Sequence, residues 1–235
     1  MSGIKIGGLQ KMTLIDYPGK VAATVFLVGC NFKCGYCHNP DLVRETSGQE
    51  FISEKDFFDF LEKRKGLLDG ICISGGEPLC QDEKELIEFF KKITKLGFLI
   101  KLDTNGFNWP LLKKMIERQG LIDYIAMDVK ASLDRYGELT NTKNDFSNIA
   151  KSIKLIMKCG IDYEFRTTVL PAFHDWGGFE KILRLINGAK NFYIQKFNNR
   201  QTLDPRFNAE TTYKPTDLDK MRELALKYVQ HCEIR

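Results

Sequence analysis

Residues 25–40 read Val-Phe-Leu-Val-Gly-Cys-Asn-Phe-Lys-Cys-Gly-Tyr-Cys-His-Asn-Pro. The stretch begins as an apolar run, which is typical of a buried strand, and ends in three cysteines with C-x3-C-x2-C spacing. Three thiolates this close together on one loop can hold a single metal centre. Cys30, Cys34 and Cys37 are therefore the candidate metal ligands of this chain.

Three neighbouring cysteines are compatible with two kinds of metal centre. A structural zinc site is usually closed by four ligands, so zinc would need His38 or one of the scattered cysteines as the fourth. A [4Fe–4S] cluster bound by three cysteines leaves one iron open, and substrate chemistry takes place at an open metal position. A disulfide framework fits less well, because the seven cysteines are odd in number and unevenly spread. The spacing alone leaves zinc and iron–sulfur both open.

The composition indicates one globular domain over residues 1–235. The chain is 43% hydrophobic and 28% charged, which is ordinary for a protein with a sizeable core. Its net charge is +4, and its lysines alternate with acids, so nucleic acid is not an expected partner. The sequence contains no apolar run of the roughly 20 residues that span a bilayer and begins with no secretion signal. We therefore expect a cytosolic protein with reduced thiols and no membrane partner.

Strand-like and helix-like segments alternate along the chain. The predicted strands are residues 21–28, 71–73, 98–102, 124–127, 162–169 and 191–197. Helices are predicted to begin at Ser53 and to cover 82–96, 109–118, 146–159, 179–186 and 216–231. Between these elements we expect a leading segment over 1–20, a loop with one helical turn over 131–145, an irregular stretch over 198–215, and a short strand or frayed tail over 232–235.

This alternation predicts an α/β fold with a parallel sheet and right-handed crossovers. Six strand–helix units are fewer than the eight that close a full barrel. We therefore expect a partial (β/α)6 barrel that is open at one side, with its core over about residues 20–200. A flat, doubly wound sheet is the alternative that periodicity leaves open.

Unusual residues follow every predicted strand. In parallel α/β folds, functional groups collect at the carboxyl ends of the strands. Here those ends carry the three cysteines, then Gly75-Gly76-Glu77-Pro78, Asp103-Thr104-Asn105-Gly106, Asp128 with Lys130, Arg166 with Pro171, and Gln195 with Asn198. Because all six strand ends carry such residues, we expect them to form a single site.

Each of these groups also has an ordinary structural explanation. Gly75-Gly76 could be a turn, since glycine is common in loops. Asp128 and Lys130 lie two apart on a strand, so their side chains share a face and could form an ion pair. Arg166 could pair with Glu164 in the same way. The remaining cysteines and two histidines show no ligand spacing, and we interpret them as packing residues: Cys72, Cys80, Cys159, Cys232, His174 and His231.

Taken together, the motifs resemble those of the radical S-adenosylmethionine (SAM) enzymes. The cysteine motif has the aromatic Tyr36 before its third cysteine, and the run 75–78 matches the second motif of that superfamily. Within the superfamily, residues 36–39, 103–106 and 128–130 resemble the activating enzymes of glycyl radical enzymes. Two further stretches, 16–19 and 29–32, are similar to those of activators of anaerobic ribonucleoside-triphosphate reductase. The resemblance runs from about residue 4 to residue 200.

The resemblance implies one [4Fe–4S] cluster, held by the three cysteines, whose fourth iron binds the methionine end of SAM. Tyr36 and His38 would lie near the adenine. Backbone groups of Gly75, Gly76 and Glu77 would receive the methionine amino group, because a residue without a side chain lets a ligand approach the strand edge. The segment 41–70 contains no cysteine, so a second cluster is not expected.

The resemblance also assigns the remaining strand ends to SAM. Asp128 and Lys130 would reach the ribose hydroxyls or the carboxylate, and Arg166 would face the carboxylate end. The pyruvate formate-lyase activating relatives also bind a monovalent cation. The residues that match its ligands here are Asp103, Thr104, Ala126 and Asp128. Asn198 stands where those relatives have a histidine that contacts SAM, and an amide can hydrogen-bond but cannot titrate.

The implied activity is radical generation on a protein partner. Flavodoxin or ferredoxin would reduce the cluster, SAM would be cleaved, and the 5′-deoxyadenosyl radical would remove the α-hydrogen of a glycine. The cofactor carries the chemistry, so no catalytic side chain is expected. The implied partner is anaerobic ribonucleoside-triphosphate reductase, with a glycyl radical enzyme of the pyruvate formate-lyase type as the alternative. A radical SAM enzyme that acts on a small molecule and a zinc-binding module without catalytic activity are the two rival interpretations.

Overall fold

The structure is a computed structural model that describes residues 3–46 and 48–235. The strands are β1 (Ile6–Thr13), β2 (Ala22–Leu27), β3 (Gly70–Gly75), β4 (Leu99–Thr104), β5 (Tyr124–Asp128), β6 (Asp162–Val169), β7 (Asn191–Lys196) and β8 (His231–Ile234). The helices are α1 (Pro40–Val43), α2 (Glu54–Glu62), α3 (Glu83–Lys95), α4 (Trp109–Glu117), α5 (Tyr136–Thr140), α6 (Ser147–Lys158), α7 (Trp176–Leu185) and α8 (Pro215–Ala225). Two short 3₁₀ turns cover Pro78–Cys80 and Pro205–Ala209.

The strands form a mostly parallel sheet. Their order in the sheet is their order in the chain, from β1 to β8, so the sheet is not closed into a ring. β1 pairs antiparallel with β2, whereas β2, β3 and β4 pair in parallel, as do β6, β7 and β8. The α/β class and the open, largely parallel sheet are therefore confirmed. In the described residues the sheet adds β1 and β8 to the six predicted strands, and β8 is the short strand that was one of the two alternatives for residues 232–235.

The chain divides into two compact units. The first takes in the described residues of 1–31, 41–104 and 110–125, and the second takes in 32–40, 105–109 and 126–235. The boundary passes through the cysteine loop, so Cys30 belongs to the first unit while Cys34 and Cys37 belong to the second.

The first unit buries the apolar run that precedes the cysteines. β2 is buried along almost its whole length, as is typical of strands in parallel sheets, whose faces are covered by the connecting helices. Helix α3 presents Phe89, Phe90 and Ile93 to the core at helical spacing, and the Asp82 carboxylate caps its first turn by accepting from the backbone of Lys84. The Ser53 cap predicted for α2 is confirmed, since its hydroxyl accepts from the Asp56 N–H.

The second unit is built around β6 and β7. Phe165 on β6 and Phe192 on β7 are fully buried and lie directly opposite each other in the parallel register. Phe179 of α7 packs on Phe192 with 6.2 Å between the ring centroids. This packing fixes the first turn of α7 against the beginning of β7.

Three predictions about secondary structure were wrong. The leading segment contains β1, which pairs antiparallel with β2, so the sheet is not purely parallel; residues 1 and 2 of that segment lie outside the described residues. The last helix covers Pro215–Ala225 rather than 216–231, because the chain then turns to pair β8 with β7. Helix α7 begins three residues earlier than predicted, where Asp175 caps it.

Candidate functional site

The first half of the cysteine loop is fixed by backbone hydrogen bonds in the first unit. The Gly29 N–H donates to the Leu42 carbonyl (2.8 Å), and the Cys30 N–H donates to the Val43 carbonyl (2.9 Å). From the other side, the Glu77 N–H donates to the Gly29 carbonyl (2.7 Å). Helix α1 and the end of β3 therefore determine the path of the chain at Cys30.

The two glycines after β3 allow this close approach. Gly75 has φ +125°, and a Cβ there would overlap the backbone of Leu27. A Cβ at Gly76 would overlap the carbonyl oxygens of Gly29 and Leu42. Both glycines are thus required by the chain's own backbone. Their predicted contact with the methionine amino group stays a prediction.

Glu77 is a buried carboxylate that ties β3 to β4. It is 2% exposed, and its Oε1 accepts from the Thr104 hydroxyl (2.7 Å) and from the Leu79 N–H (3.1 Å). Glu77 therefore fixes the backbone that follows β3 and the end of β4. The side chains of Glu77 and Thr104 serve the fold here, and their SAM-facing roles would fall to backbone groups.

Asp103 at the end of β4 lies in a buried polar cluster. Its Oδ1 forms an ion pair with the Lys101 ammonium, and its Oδ2 accepts from the Ser74 hydroxyl (3.0 Å). The Lys101 Nζ also lies 3.8 Å from the Cys72 Sγ. Lys101 was absent from the predicted site, and a lysine in an otherwise apolar strand, two residues before an aspartate, was the signal that pointed to it.

The second half of the cysteine loop is held by a different segment, in the second unit. The Cys37 N–H donates to the Cys34 carbonyl (3.0 Å), which forms a tight turn. The Leu203 N–H donates to the Cys37 carbonyl and the Asp204 N–H to the Gly35 carbonyl, both at 2.9 Å. Residues 203–204 thus fasten this half of the loop along its length.

Cys34 is the most buried of the three cysteines of the motif. It is 6% exposed, and burial raises the pKa of its thiol to about 11, although the nearby Lys130 ammonium acts in the opposite direction. Burial also raises the pKa of Cys80 and Cys232, which lie outside the motif. The pKa therefore does not distinguish Cys34 from these cysteines, and its place in the motif is what makes it a candidate ligand.

Tyr36 and His38 form an aromatic cluster with Phe197 and Phe207. Tyr36 is buried, its ring meets Phe197 edge-on, and burial raises the pKa of its phenol well above the ordinary value. The His38 ring stacks on Phe197 at 5.6 Å, and its Nε2 lies 2.6 Å from the Asn198 carbonyl oxygen. The Asn198 side chain accepts from the Arg200 N–H (3.1 Å), so Asn198 orients His38 through its backbone.

Asp128 is the centre of a charge network in the second unit. Its Oδ2 lies 3.3 Å from the Lys130 Nζ, and its Oδ1 accepts from the Arg166 Nε (2.8 Å). The Arg166 Nη1 lies 3.9 Å from Glu164, which also accepts from Arg235 (3.2 Å). Arg166 therefore bridges Asp128 and Glu164. Burial by itself lowers the pKa of Lys130, but Tyr36, Asp128 and Cys34 raise it, and the net direction is upward.

Two buried side chains that were not predicted hold the segment 128–130. The Tyr136 hydroxyl accepts from the Lys130 N–H (3.0 Å). His174, interpreted from the sequence as a packing residue, is fully buried, and its Nε2 lies 2.8 Å from the Lys130 carbonyl oxygen. Both residues act on backbone groups, and backbone partners leave no pattern in a sequence.

Two features are missing from the residues that the structure describes. No three histidine, cysteine, aspartate or glutamate side chains are arranged there as a preformed metal site. No helix in that part of the chain is long and apolar enough to cross a membrane. The cluster ligands therefore stay a prediction that rests on the cysteine spacing.

Comparison with known proteins identifies clear relatives. Residues 24–186 match the family model of the radical SAM superfamily. A protein of Methanocaldococcus jannaschii, named as a glycyl-radical enzyme activating enzyme, is 33% identical over 98% of this chain and 95% of its own length. The pyruvate formate-lyase-activating enzyme of Clostridium pasteurianum is 29% identical over 94% of this chain and 90% of its own length.

A solved structure shares the fold. It is a domain of a pyruvate-formate lyase-activating enzyme from Bacteroides vulgatus, with a TM-score of 0.56 and 14% identity over 71% of this chain and 98% of that domain.

Proposed function

This chain belongs to the radical SAM superfamily and, within it, to the glycyl-radical enzyme activating enzymes, and we propose that it activates an anaerobic ribonucleoside-triphosphate reductase. The superfamily binds a [4Fe–4S] cluster and SAM. The proposal adds that Cys30, Cys34 and Cys37 hold the cluster and that the strand ends bind SAM. The observation that carries the cluster assignment is the C-x3-C-x2-C loop directly after a buried strand.

What the cluster and SAM supply when bound is one-electron chemistry that yields a 5′-deoxyadenosyl radical. The chain's own residues would bind SAM, orient it and exclude water from the site. The backbone at Gly75-Gly76-Glu77 would bind the methionine amino group, and the buried Tyr36 would shield the adenine. Asp128, Lys130 and Arg166 would orient the ribose and the carboxylate. Because a primary-carbon radical reacts with almost any C–H bond, placement of the target glycine is the main contribution of the protein.

The choice of partner rests on the resemblance of residues 16–19 and 29–32 to activators of the anaerobic reductase. In the structure these residues also support the fold. The Thr24 hydroxyl donates to Asp16 (2.6 Å), Tyr17 is buried, and the Lys20 N–H closes a turn on the Tyr17 carbonyl (3.1 Å). The partner must therefore be identified by experiment.

The test is an activation assay with two partners. Anaerobically reconstituted chain, SAM and a chemical reductant are mixed with an anaerobic ribonucleoside-triphosphate reductase or, separately, with a pyruvate formate-lyase. We expect a glycyl radical doublet by electron paramagnetic resonance with the reductase. A doublet with the lyase alone would overturn the choice of partner but leave the activity intact. Cleavage of SAM that needs a small molecule and no protein would overturn the activity itself.

Activation of a pyruvate formate-lyase is the second candidate. The observation that favours it is the match to the Clostridium pasteurianum activating enzyme over 94% of this chain.

Flavodoxin or ferredoxin is the proposed reductant in either case. Exchange of the chemical reductant for each of these proteins in the same assay tests that part of the proposal.

A further inference from the structure

The carboxylate at the end of β4 is already paired with a cation of this chain. Lys101 and Asp103 lie two apart on β4, so their side chains point to the same face. The Lys101 ammonium contacts Oδ1 of Asp103, and the Ser74 hydroxyl donates to Oδ2 (3.0 Å). The side chain of Lys101 is 1% exposed, so the ammonium is held in place by the fold.

Such a lysine is costly to bury without a partner. An ammonium group withdrawn from water is stabilised when a carboxylate lies at hydrogen-bond distance. The Lys101 Nζ also lies 3.8 Å from the Cys72 Sγ, and a thiol is a weak acceptor. Asp103 is therefore a stronger partner of Lys101 than Cys72 is.

The carboxylate at the end of β5 is paired in the same manner within its own unit. The Lys130 ammonium lies 3.3 Å from Oδ2 of Asp128, and the Arg166 guanidinium donates to Oδ1 (2.8 Å). Each oxygen of Asp128 thus faces a positive charge.

These pairs do not fit a monovalent metal ion. Sodium and potassium bind to oxygen ligands, either carboxylates or neutral carbonyl groups. Of the places that the resemblance implies here, Asp103 and Asp128 are the two that bring negative charge. An ammonium or guanidinium group on the same carboxylate directs its hydrogens at the oxygens and repels a second cation at short range. The ion that the family resemblance implies at Asp103 and Asp128 therefore disagrees with the residues present.

We propose that the Lys101 ammonium takes the place of a monovalent metal ion at Asp103, and that SAM binds to this chain without such an ion. The proposal rests on the proposed function, because SAM must be the ligand. It makes Lys101 a positioning residue that acts through Asp103.

The first experiment measures SAM binding to the reconstituted wild-type chain by equilibrium dialysis. Sodium, potassium and tetramethylammonium chlorides are compared at equal ionic strength. We expect the same Kd within about twofold in all three salts, since an ion that does not bind cannot couple to the ligand. A Kd that weakens about tenfold or more in tetramethylammonium alone would overturn the proposal.

The second experiment uses Lys101→Met, with Lys84→Met as the matched control because Lys84 is exposed on α3. Loss of the ammonium leaves Asp103 able to bind sodium. We expect the SAM affinity of Lys101→Met to depend on sodium or potassium, and that of Lys84→Met to stay independent of both. If Lys101→Met fails to fold, the wild-type titration still decides the proposal.

A third measurement needs neither cluster nor SAM. The sodium-23 line width is recorded with cluster-free protein. We expect no specific broadening with the wild type or Lys84→Met, and broadening with Lys101→Met. Equal broadening with the wild type and Lys101→Met would overturn the inference. If the chain failed to bind SAM in all three salts, the proposed function would be overturned. The sodium-23 line width would still decide the inference.

Discussion

The two halves of the cysteine loop are supported in different ways. Around Cys30, the support comes from β3 and α1, and it depends on glycines whose missing side chains let backbones touch. Around Cys34 and Cys37, the support comes from residues 203–204 and from the Phe207 ring. The first set of contacts is signalled by a recognisable motif, whereas the second lies in a stretch that the sequence marks only as irregular. A metal-binding motif therefore does not show which segments hold it in place.

The largest loss of stability is expected at Gly75, which supports the first half of the cysteine loop. Gly75→Ala should destabilise the chain by more than about 3 kcal/mol, because a Cβ would overlap the Leu27 backbone at a positive φ. Anaerobic urea unfolding measures the change.

Gly97→Ala is the matched control for that substitution. Gly97 also has a positive φ, +91°, but a Cβ there would meet no atom within 4 Å. We expect a cost of only about 1–2 kcal/mol, from backbone strain alone. Equal costs at the two positions would show that the close approach of β3 to Leu27 does not matter.

Substitution of a glycine should cost less in the second half of the cysteine loop. The glycine there, Gly35, faces a side chain, which can move more easily than a backbone. A Cβ at Gly35 would overlap the Phe207 ring, so Gly35→Ala should cost about 1–3 kcal/mol. Removal of the ring should restore part of that loss, so the double variant with Phe207→Ala should be less unstable than the sum of the two single variants. Strict additivity in the unfolding free energies would contradict the contact.

Phe207→Ala alone should have a smaller effect. The ring stacks on Phe173 at 6.0 Å and lies 6.5 Å from Tyr36, but it is only half-buried. We expect a loss of about 1–2 kcal/mol in stability and a faster loss of iron to a chelator. Phe51→Ala, at an exposed phenylalanine, is the control. Unchanged iron release with Phe207→Ala would show that this ring does not protect the second half of the loop.

The smallest effect is expected at His38. His38→Ala removes the contact with the Asn198 carbonyl and the stack on Phe197, both at an exposed side chain. The cost should stay below about 1 kcal/mol. His38→Phe keeps the stack on Phe197 and should therefore recover part of the lost stability. A loss of stability as large as that of Gly35→Ala would contradict this order. It would show that the contacts of the exposed His38 stabilise the fold as much as the contact between Gly35 and Phe207 does.

The interior of the fold was predictable because its signals are local. The apolar run over 22–27, the helical spacing of Phe89 and Phe90, and the Ser53 cap each follow from neighbouring residues. β1 was missed because Gly7 and Gly8 weaken its strand pattern. It forms by antiparallel pairing with the next strand, β2.

The C-terminal helix shows how tertiary pairing overrides local preference. Residues 226–230 favour a helix by composition, yet the helix ends at Ala225. The Gln230 N–H then donates to the Ala189 carbonyl, and β8 pairs with β7. At the site, the motif residues were foreseen, whereas the pairing of Lys101 with Asp103 required the geometry of β4.

The most direct test of the account is the iron content and SAM cleavage of single cysteine variants. The wild-type chain, reconstituted without oxygen, should bind about four irons and form 5′-deoxyadenosine from SAM with dithionite. Cys34→Ala should lose both properties, whereas Cys159→Ala, at the end of α6, should keep both. If Cys34→Ala still cleaved SAM, or if the wild-type chain bound one zinc ion and no iron, the proposed cluster would be wrong.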